Sequence, residues 1–550
     1  MQEEAQRKVL QQCWLALFLV GLAISVAMLL RCQVGYDQLQ MLSRGWLFAA
    51  EKFWLPIGNE TSAGGYEPGG LSAIIVGLPL KIWMHHRSPV VLILLCHIAG
   101  YLLIDRIVGE AFGLRGRVLY SVLYWVNPWR VYHSAFLWNP NYLFLIGALL
   151  LWACMRQRHE PRIVHSTVLV ATAGLAVQLH PGALIPIVAA VLMWLTGYWR
   201  PHWGGVAIGA AITIGSLVPW IFFILEHPAV LPGHEGYPFR NLVRVLPVIK
   251  GIVYWLRFAS FWVSSKWMAR FDFTPVLGAS ADVVLWPVFA GLTWVAGPLT
   301  IALSLIANVR FLQLRGFDGA DRDDPRAGLR RWMRGYVVMV FLASVILYAL
   351  SPTTVMAWQC FPVMHAAVLP PLFWLMWLVG RGRSTLVNRG VISWCAVTIA
   401  LLVAMTFASQ MYTVGGRDTI RSSRIVLRSG HPMLEDLKLG SGAGVRIDSV
   451  AEEAIDLGTF LEGLKTGRPA PSRGRITAGP ARISDAGIVL LADSRASHEP
   501  PSTDRRELVA AARAWLDPLP ADNDRRIPHR RSRRGRVENV IHEKTSIRQR

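Results

Sequence analysis

The sequence predicts an all-α polytopic membrane protein. Hydrophobic residues make up 53% of the 550 residues and charged residues only 17%, whereas soluble proteins carry about a quarter charged residues. Apolar runs of about 18 residues recur up to residue 410, and runs of that length can cross a bilayer. Lys and Arg gather in alternate short loops, which are expected in the cytoplasm. Together these observations predict about eleven transmembrane helices with the N-terminus inside.

The loops between the predicted spans alternate in charge. Short basic loops, such as residues 106–117 and 156–162, are assigned to the cytoplasm. The longer and less basic loops at 32–88, 129–140, 226–283 and 351–364 are assigned to the outer side. The predicted spans are residues 13–31, 89–106, 117–128, 141–155, 166–179, 183–198, 204–225, 284–309, 336–350, 365–380 and 391–409.

Two further stretches fit no span and predict juxtamembrane helices on the outer face. Residues 71–84 are apolar but short, and Pro79 and Lys81 interrupt them, so an interfacial helix is expected. Residues 240–270 interleave basic residues with Trp255, Trp262 and other aromatics. This pattern favours a surface helix that holds anionic lipid phosphate, although an aromatic belt with snorkelling basic side chains would give the same pattern.

Composition divides the chain into three parts. Residues 1–410 form the predicted transmembrane domain. Residues 411–520 predict a small extracytoplasmic α/β region, because strand-like segments at 443–448 and 486–493 flank a helix-like segment at 449–464. Residues 521–550 predict a basic disordered tail that touches anionic lipid, with ten Lys/Arg and two Glu from 525 onward. No nucleic-acid partner is expected, because no recognition fold accompanies the tail.

Polar residues that could act in catalysis or substrate binding gather in the predicted outer loops. Asp37 lies just beyond the first span, where a carboxylate is solvated cheaply and can meet both a lipid-borne and a water-borne molecule. The same loop ends in a glycine-rich turn that contains Glu67, a second candidate acid. An ordinary loop carboxylate is the competing interpretation for Asp37.

The other outer loops contribute the remaining candidates. Pro140 suits the first turn of the fourth span, and the asparagines on either side of it can cap that helix or bind a ligand. Capping and structural roles would explain each residue alone, but their occurrence on one membrane face favours a shared site. With Asp37 as the catalytic candidate, the substrate-binding candidates are Tyr66, Glu67, Arg130, Trp138, Asn139, Asn141, Gln178, His180 and His365. Six scattered cysteines without a CxxC motif or a Cys/His cluster predict neither structural zinc nor a disulfide framework. No cofactor is expected.

This arrangement resembles the GT-C superfamily of membrane glycosyltransferases. It is most similar to bacterial relatives of protein O-mannosyltransferases and of the aminoarabinose and galacturonic acid transferases that modify lipid A. The stretches that carry the resemblance are WLPIGNETSAGGYEPGGLSAIIVGLPLKIW at 54–83, QLHPGALIPIV at 178–188 and FPVMHAAVLPPLFWL at 361–375. The resemblance covers roughly residues 10–410.

The resemblance implies a bacterial inner-membrane enzyme with its active site on the periplasmic or extracellular face. Such an enzyme moves a sugar from a polyprenyl-phosphate carrier to a lipid, glycan or protein acceptor. Asp37 matches the position of the general base, which takes the proton of the attacking hydroxyl. Arg130, His180, His365 and the 240–270 segment are candidates to stabilise the phosphate leaving group. Gln38, Asn139 and Asn141 stand where many members have acids, which favours metal-independent transfer.

Two other functional classes remain open from the sequence. A transporter or flippase for lipid-linked saccharides would usually show internal repeats and polar residues at mid-membrane, and neither is evident. A polysaccharide polymerase or ligase would act without the first-loop Asp. For the transferase we expect loops 32–88 and 226–283 to roof a cavity that is open to lipid and lined by Asp37, Tyr66, Glu67, Trp138, Asn139 and His180.

Overall fold

The structure is a computed structural model. It describes residues 2–30, 56–60, 66–83, 85–226, 245–262, 277–313, 326–351, 355–408, 426–428 and 431–433, with positions 38, 41, 42, 44, 45, 48, 49, 52, 54, 273 and 324. Asp37 and most of the predicted C-terminal α/β region lie outside the described residues, as does the whole basic tail.

The described chain is almost entirely helical. The helices are α1 (Gln2–Leu30), α2 (Leu71–Ile82), α3 (Ser88–Tyr120), α4 (Pro128–His133), α5 (Leu143–Arg156), α6 (Ile163–Val177), α7 (Leu184–Leu195), α8 (Trp203–Glu226), α9 (Val245–Arg257), α10 (Ala279–Gln313), α11 (Ala327–Ala349), α12 (Met364–Ala367), α13 (Leu369–Gly380) and α14 (Ser384–Phe407). A π-helical turn covers Ser121–Trp125, and 3-10 turns cover Asn139–Tyr142, Pro181–Ala183 and Ala357–Val363. Short strands β1 (Ile57–Glu60) and β2 (Tyr66–Pro68) pair antiparallel, as do β3 (Val426–Arg428) and β4 (His431–Met433).

The length and apolar composition of a helix decide whether it can cross a membrane. Within the described residues, seven helices are long and apolar enough to cross a membrane. Large apolar side chains on α8 and α10, such as Phe222 and Val295, point away from the protein, as expected for helices surrounded by lipid. The predicted class, a helical multi-pass membrane protein, is therefore confirmed. The total of eleven spans stays a prediction, because α5, α6 and α7 are shorter than a full span.

Helix α3 is a hairpin rather than one rod. At Gly113 the backbone leaves the helical region, with φ 71° and ψ −167°, a combination that suits glycine. The two arms then run side by side, and Tyr101 Oη lies 2.7 Å from Ser121 Oγ. Below that contact Arg117 Nε donates to Asp105 Oδ2 at 2.8 Å. The predicted spans at 89–106 and 117–128 correspond to these two arms.

Several helices extend beyond the apolar runs that predicted them. Helix α1 begins at residue 2 and α11 at residue 327, where the predictions had 13 and 336. The added turns are polar and charged, and hydropathy marks only the part of a helix that lies in hydrocarbon. The predicted surface helix at 240–270 was too long. Helix α9 ends at Arg257, where both the backbone N–H and the hydroxyl of Ser260 donate to its carbonyl, and residues 263–270 lie outside the described chain.

The segment predicted as an interfacial helix forms α2. Its inner face buries Val76 and Leu80, while Ile82 at its C-terminal end is 90% exposed and Trp83 follows it. Lys81 Nζ lies 4.4 Å from the centre of the Phe48 ring. An exposed apolar end beside a basic residue is typical of helices that lie on a membrane surface. The interfacial position of α2 remains a prediction.

Candidate functional site

The first outer-loop segment meets the second at a buried polar contact. Asn139 Nδ2 donates a hydrogen bond to Glu67 Oε2 at 2.8 Å, although 72 positions separate the two residues. The β1–β2 hairpin holds Glu67, and the 3-10 turn that begins at Asn139 holds the amide. Only 5% of Glu67 and 3% of Asn139 is exposed. The two loops are therefore fixed to one another by a contact that excludes water.

Burial sets the protonation of Glu67. It raises the pKa of this carboxyl well above the ordinary 4.5, and the Asn139 hydrogen bond, the charge of Arg44 and a backbone hydrogen bond at Asn59 oppose that rise. Desolvation is the largest of these effects, since a carboxylate without bulk water is costly. The carboxyl group therefore holds its proton at higher pH than an exposed glutamate.

Arg44 is a site residue that sequence reasoning missed. Its guanidinium donates to the carbonyl of Ile57 at 3.4 Å and to that of Gly58, both in β1. It also lies 5.8 Å from the centre of the Tyr66 ring. Arg44 thus braces the hairpin that presents Glu67. A single arginine inside the apolar stretch MLSRGWLF was the available signal.

The Asn-Pro-Asn turn also organises a histidine. Asn141 Nδ2 donates to the Phe136 carbonyl at 2.8 Å, and Asn141 Oδ1 lies 3.1 Å from His133 Nδ1. The backbone carbonyl of Asn141 lies 3.1 Å from His97 Nε2. His133 was not a sequence candidate, because the segment WRVYHSAF has the local pattern of a buried aromatic core.

Gln178 links the first loop to the helical bundle. Its amide Nε2 donates to Ser216 Oγ on α8 at 2.7 Å. Its Oε1 faces Gly69, whose φ of 75° favours glycine and where a Cβ would collide with that oxygen. The loop that carries Tyr66 and Glu67 therefore passes directly against the C-terminal end of α6.

The turn at 178–182, between the predicted fifth and sixth spans, meets the turn at 357–363 beside this point. His180 Nδ1 accepts a hydrogen bond from the Gly182 N–H at 3.0 Å, so the neutral ring carries its hydrogen on Nε2. A Cβ on Gly182 would lie 2.9 Å from the Gln359 carbonyl oxygen in the 357–363 turn. The same turn places Trp358 edge-on to Trp138, with ring centres 5.2 Å apart.

Arg130 and His365 lie among the helices rather than in the contact between Glu67 and Asn139. Arg130 is fully buried and donates to the Trp125 carbonyl at 2.7 Å and to Ser25 Oγ at 2.9 Å. His365 Nε2 lies 2.6 Å from the Tyr336 hydroxyl on α11. These contacts brace helices against one another. The structure does not bring either side chain into the Glu67–Asn139 contact.

The C-terminal end of α9 joins the second outer segment. Asn127 Nδ2 donates to the Phe258 carbonyl at 2.7 Å. The Arg257 guanidinium lies 5.3 Å from the Trp129 ring centre and 5.2 Å from that of Tyr254. Arg257 is one of the basic residues of the 240–270 pattern, which predicted a surface helix that holds lipid phosphate. In the structure its guanidinium lies against aromatic faces, and the phosphate contact stays a prediction.

Four segments, at 66–69, 133–141, 178–182 and 357–363, thus form one polar cluster, which we call the outer-loop cluster. Within the described chain, no group of three or more His, Cys, Asp or Glu side chains is placed to hold a metal ion. The predicted cavity and the position of Asp37 depend on residues outside the described part. The outer-loop cluster consists of Tyr66, Glu67, His133, Trp138, Asn139, Asn141, Gln178, His180 and the 357–363 turn.

Comparisons with known proteins complete the description. No protein-family model and no curated protein matches the chain. A solved structure of ArnT from Cupriavidus metallidurans bound to undecaprenyl phosphate aligns with TM-score 0.43 and 13% identity, over 83% of this chain and 92% of that chain. The apo state of that protein aligns with TM-score 0.36 and 16% identity, with the same coverage.

The fold and the site define a class. The chain is a helical multi-pass membrane protein in which four loop segments share a buried polar cluster at the ends of its helices.

Proposed function

We propose that this protein is a membrane glycosyltransferase that moves a sugar from a polyprenyl-phosphate carrier to an acceptor on the outer face. The observation that carries the proposal is the hydrogen bond between Glu67 and Asn139, which joins two predicted outer loops in one polar cluster. Polar clusters at the ends of membrane helices tend to mark substrate paths. The order of motifs in the sequence, which resembles the GT-C superfamily, supplies the reaction class.

Asp37 is the general base in this proposal. The acceptor hydroxyl attacks the anomeric carbon, Asp37 takes its proton, and the bond to the carrier phosphate breaks. One direct displacement inverts the anomeric configuration, whereas a double displacement would need a protein nucleophile as well. Glu67 is the other carboxyl candidate, and its burial and its bond to Asn139 suit a positioning role better than a nucleophilic one.

The departing phosphate needs cations or hydrogen-bond donors rather than a proton. His180 offers a donor, because its Nδ1 is already an acceptor for Gly182 and its hydrogen lies on Nε2. Arg257 offers a positive charge held between aromatic rings at the end of α9. Arg130 is a further candidate, since the Trp125 carbonyl and Ser25 engage its Nε and Nη1, while its buried Nη2 has no hydrogen-bond partner among the described residues.

The remaining assignments follow from the same proposal. The enzyme would sit in a bacterial inner membrane, with membrane lipids around it and an envelope lipid, glycan or protein as acceptor. Transfer would need neither a metal ion nor a cofactor, because a carboxylate base and an anionic leaving group suffice. No nucleic-acid partner is expected.

A reconstitution assay tests the proposal. Purified protein in sealed vesicles is supplied with radiolabelled polyprenyl-phosphate mannose, aminoarabinose or galacturonic acid and with envelope acceptors. The proposal predicts label covalently bound to lipid, glycan or protein. Label that crosses the bilayer while still attached to its carrier would instead establish a flippase and reject the transferase.

A further inference from the structure

His133 lies where the second and fourth outer segments meet. Its ring centre is 4.1 Å from that of Phe361 in the 357–363 turn and 6.2 Å from that of Trp138, on which it stacks. It also stacks on Trp129 with 6.3 Å between the ring centres. Only 2% of the residue is exposed. His133 therefore belongs to the outer-loop cluster, although no motif pointed to it.

The hydrogen bonds around His133 assign its tautomer. Asn141 donates from Nδ2 to the Phe136 carbonyl, so the other end of its amide, Oδ1, must be an acceptor. That acceptor lies 3.1 Å from His133 Nδ1, which therefore carries the hydrogen. A second bond, from His97 to the Asn141 backbone carbonyl, fixes the position of Asn141. Nε2 of His133 is left with a lone pair.

Among the described residues, none hydrogen-bonds that lone pair on Nε2 of His133, although the side chain is almost completely buried. Burial lowers the pKa of His133 to about 3, and the hydrogen bond that its Nδ1 donates to Asn141 opposes this shift. The ring is therefore neutral, and its free nitrogen can accept a hydrogen bond but cannot attract an anion. The Nε2 atom therefore suits a hydroxyl group, which can donate a hydrogen bond to it, and does not suit a phosphate anion.

We propose that His133 is a substrate-binding residue whose Nε2 accepts a hydrogen bond from a hydroxyl of the carrier-linked sugar. This inference rests on the proposed function, since it names a contact of the same substrate. The neighbouring ring of Trp138, which is only partly buried, suits a face of the sugar, because aromatic faces are negative and attract polarised C–H groups. Asn141 is the positioning residue that keeps the nitrogen an acceptor.

Two substitutions separate the two ring nitrogens. In His133→Asn the amide nitrogen takes the place of Nδ1 and can still donate to Asn141, but nothing replaces Nε2. In His133→Gln the longer side chain can place its oxygen near the position of Nε2, and the donor to Asn141 is lost. H133N thus removes the proposed sugar contact, while H133Q can keep it.

The experiment measures binding, which both a transferase and a transporter would show. Wild type, H133N and H133Q are titrated in nanodiscs with polyprenyl-phosphate mannose, aminoarabinose or galacturonic acid, whichever binds best, and with sugar-free polyprenyl phosphate. Loss of one hydrogen bond should raise the Kd of H133N for the sugar-carrying lipid about tenfold. Its Kd for the sugar-free lipid should stay unchanged, and H133Q should retain most of the sugar preference.

Other outcomes overturn the inference. Equal affinity of wild type and H133N for the sugar-carrying lipid would do so, and so would an equal loss for both lipids, which indicates a structural or phosphate-linked role. If H133N does not fold, the test rests on H133Q. Equal affinity of H133Q for the sugar-carrying and the sugar-free lipid would then contradict the acceptor role of Nε2. Sugar-dependent binding that needs His133, in a protein that transfers no sugar, would reject the proposed transferase and keep this contact.

Discussion

At the scale of single residues, the protein keeps an acid where an acid is costly. Glu67 is buried beside Asn139, with Arg44 near enough to oppose the desolvation but not to outweigh it. A protonated carboxyl can both donate and accept, so it can satisfy an amide and a second partner at once. Glu67 thus joins the first loop to the second and holds its proton to higher pH than an exposed glutamate does.

Replacing Glu67 with glutamine tests this protonation. The pKa of Glu67 is raised on folding, so the folded chain keeps a proton that the unfolded chain releases above about pH 4.5. Wild-type stability therefore contains a contribution from Glu67 that is complete below that pH and is lost as pH rises through the folded pKa. In E67Q that contribution does not titrate. Thermal unfolding in detergent from pH 4 to pH 8 should show that the stability of E67Q increases relative to that of wild type as pH rises.

Glu3→Gln is the matched control for this series, because Glu3 is exposed on the first turn of α1. Its difference from wild type should stay constant with pH. A constant difference for E67Q as well would mean that Glu67 is ionised in the folded protein.

At the scale of elements, glycines decide where the chain reverses and where loops approach. Gly113 turns α3 into a hairpin, and Gly69 brings the first loop against Gln178. The apolar runs predicted both arms of α3, because the charged loop between them was visible in the sequence. Gly113 as the point of reversal was not predicted, since nothing in hydropathy distinguishes it from the other glycines nearby.

Gly113→Ala should weaken the hairpin. A side chain at φ 71° and ψ −167° occupies a region that is open essentially to glycine alone. The substitution should lower the free energy of unfolding by about 1–3 kcal/mol. Gly291→Ala, in the middle of α10 with nothing within 4 Å of the new methyl group, should instead stabilise by about 0.5–1 kcal/mol. Thermal unfolding in detergent compares the two, and equal effects would contradict a strained reversal at Gly113.

Gly69→Ala should separate the first loop from Gln178. The new Cβ would collide with Gln178 Oε1, and the backbone at φ 75° would also be strained. Gly278→Ala provides the control, because its φ is 85° and nothing lies within 4 Å. Both variants carry about 1–2 kcal/mol of strain, but only G69A displaces a loop of the site. Sugar transfer should fall at least about tenfold in G69A and hold in G278A. Similar transfer by both variants would show that the loop contact is dispensable.

At the scale of the whole molecule, the sequence predicted more of the fold than of the site. Apolar runs are local signals, and they located the helices to within a few residues at most boundaries. The bond between Glu67 and Asn139 joins positions 72 apart, so it depends on how the helices pack. Arg44 and His133 were not predicted as site residues, because each lies in an apolar or aromatic stretch whose local pattern indicates a buried core. Arg130 and His365 were predicted in the site from their positions at the outer ends of predicted spans, but their described partners belong to the helical bundle.

The central claim is that a carboxylate at the outer end of the first span performs sugar transfer. The measurement that tests it most directly is transfer by Asp37→Asn in the reconstituted assay, because asparagine keeps the size of the side chain and removes the base. Glu226→Gln, at the exposed end of α8, is the control for losing an acid at a helix end. We predict that D37N inserts, folds and binds the carrier like wild type but transfers sugar at least about a hundredfold more slowly, with inverted anomeric configuration in the wild-type product. Transfer by D37N at the rate of E226Q and wild type would contradict the account.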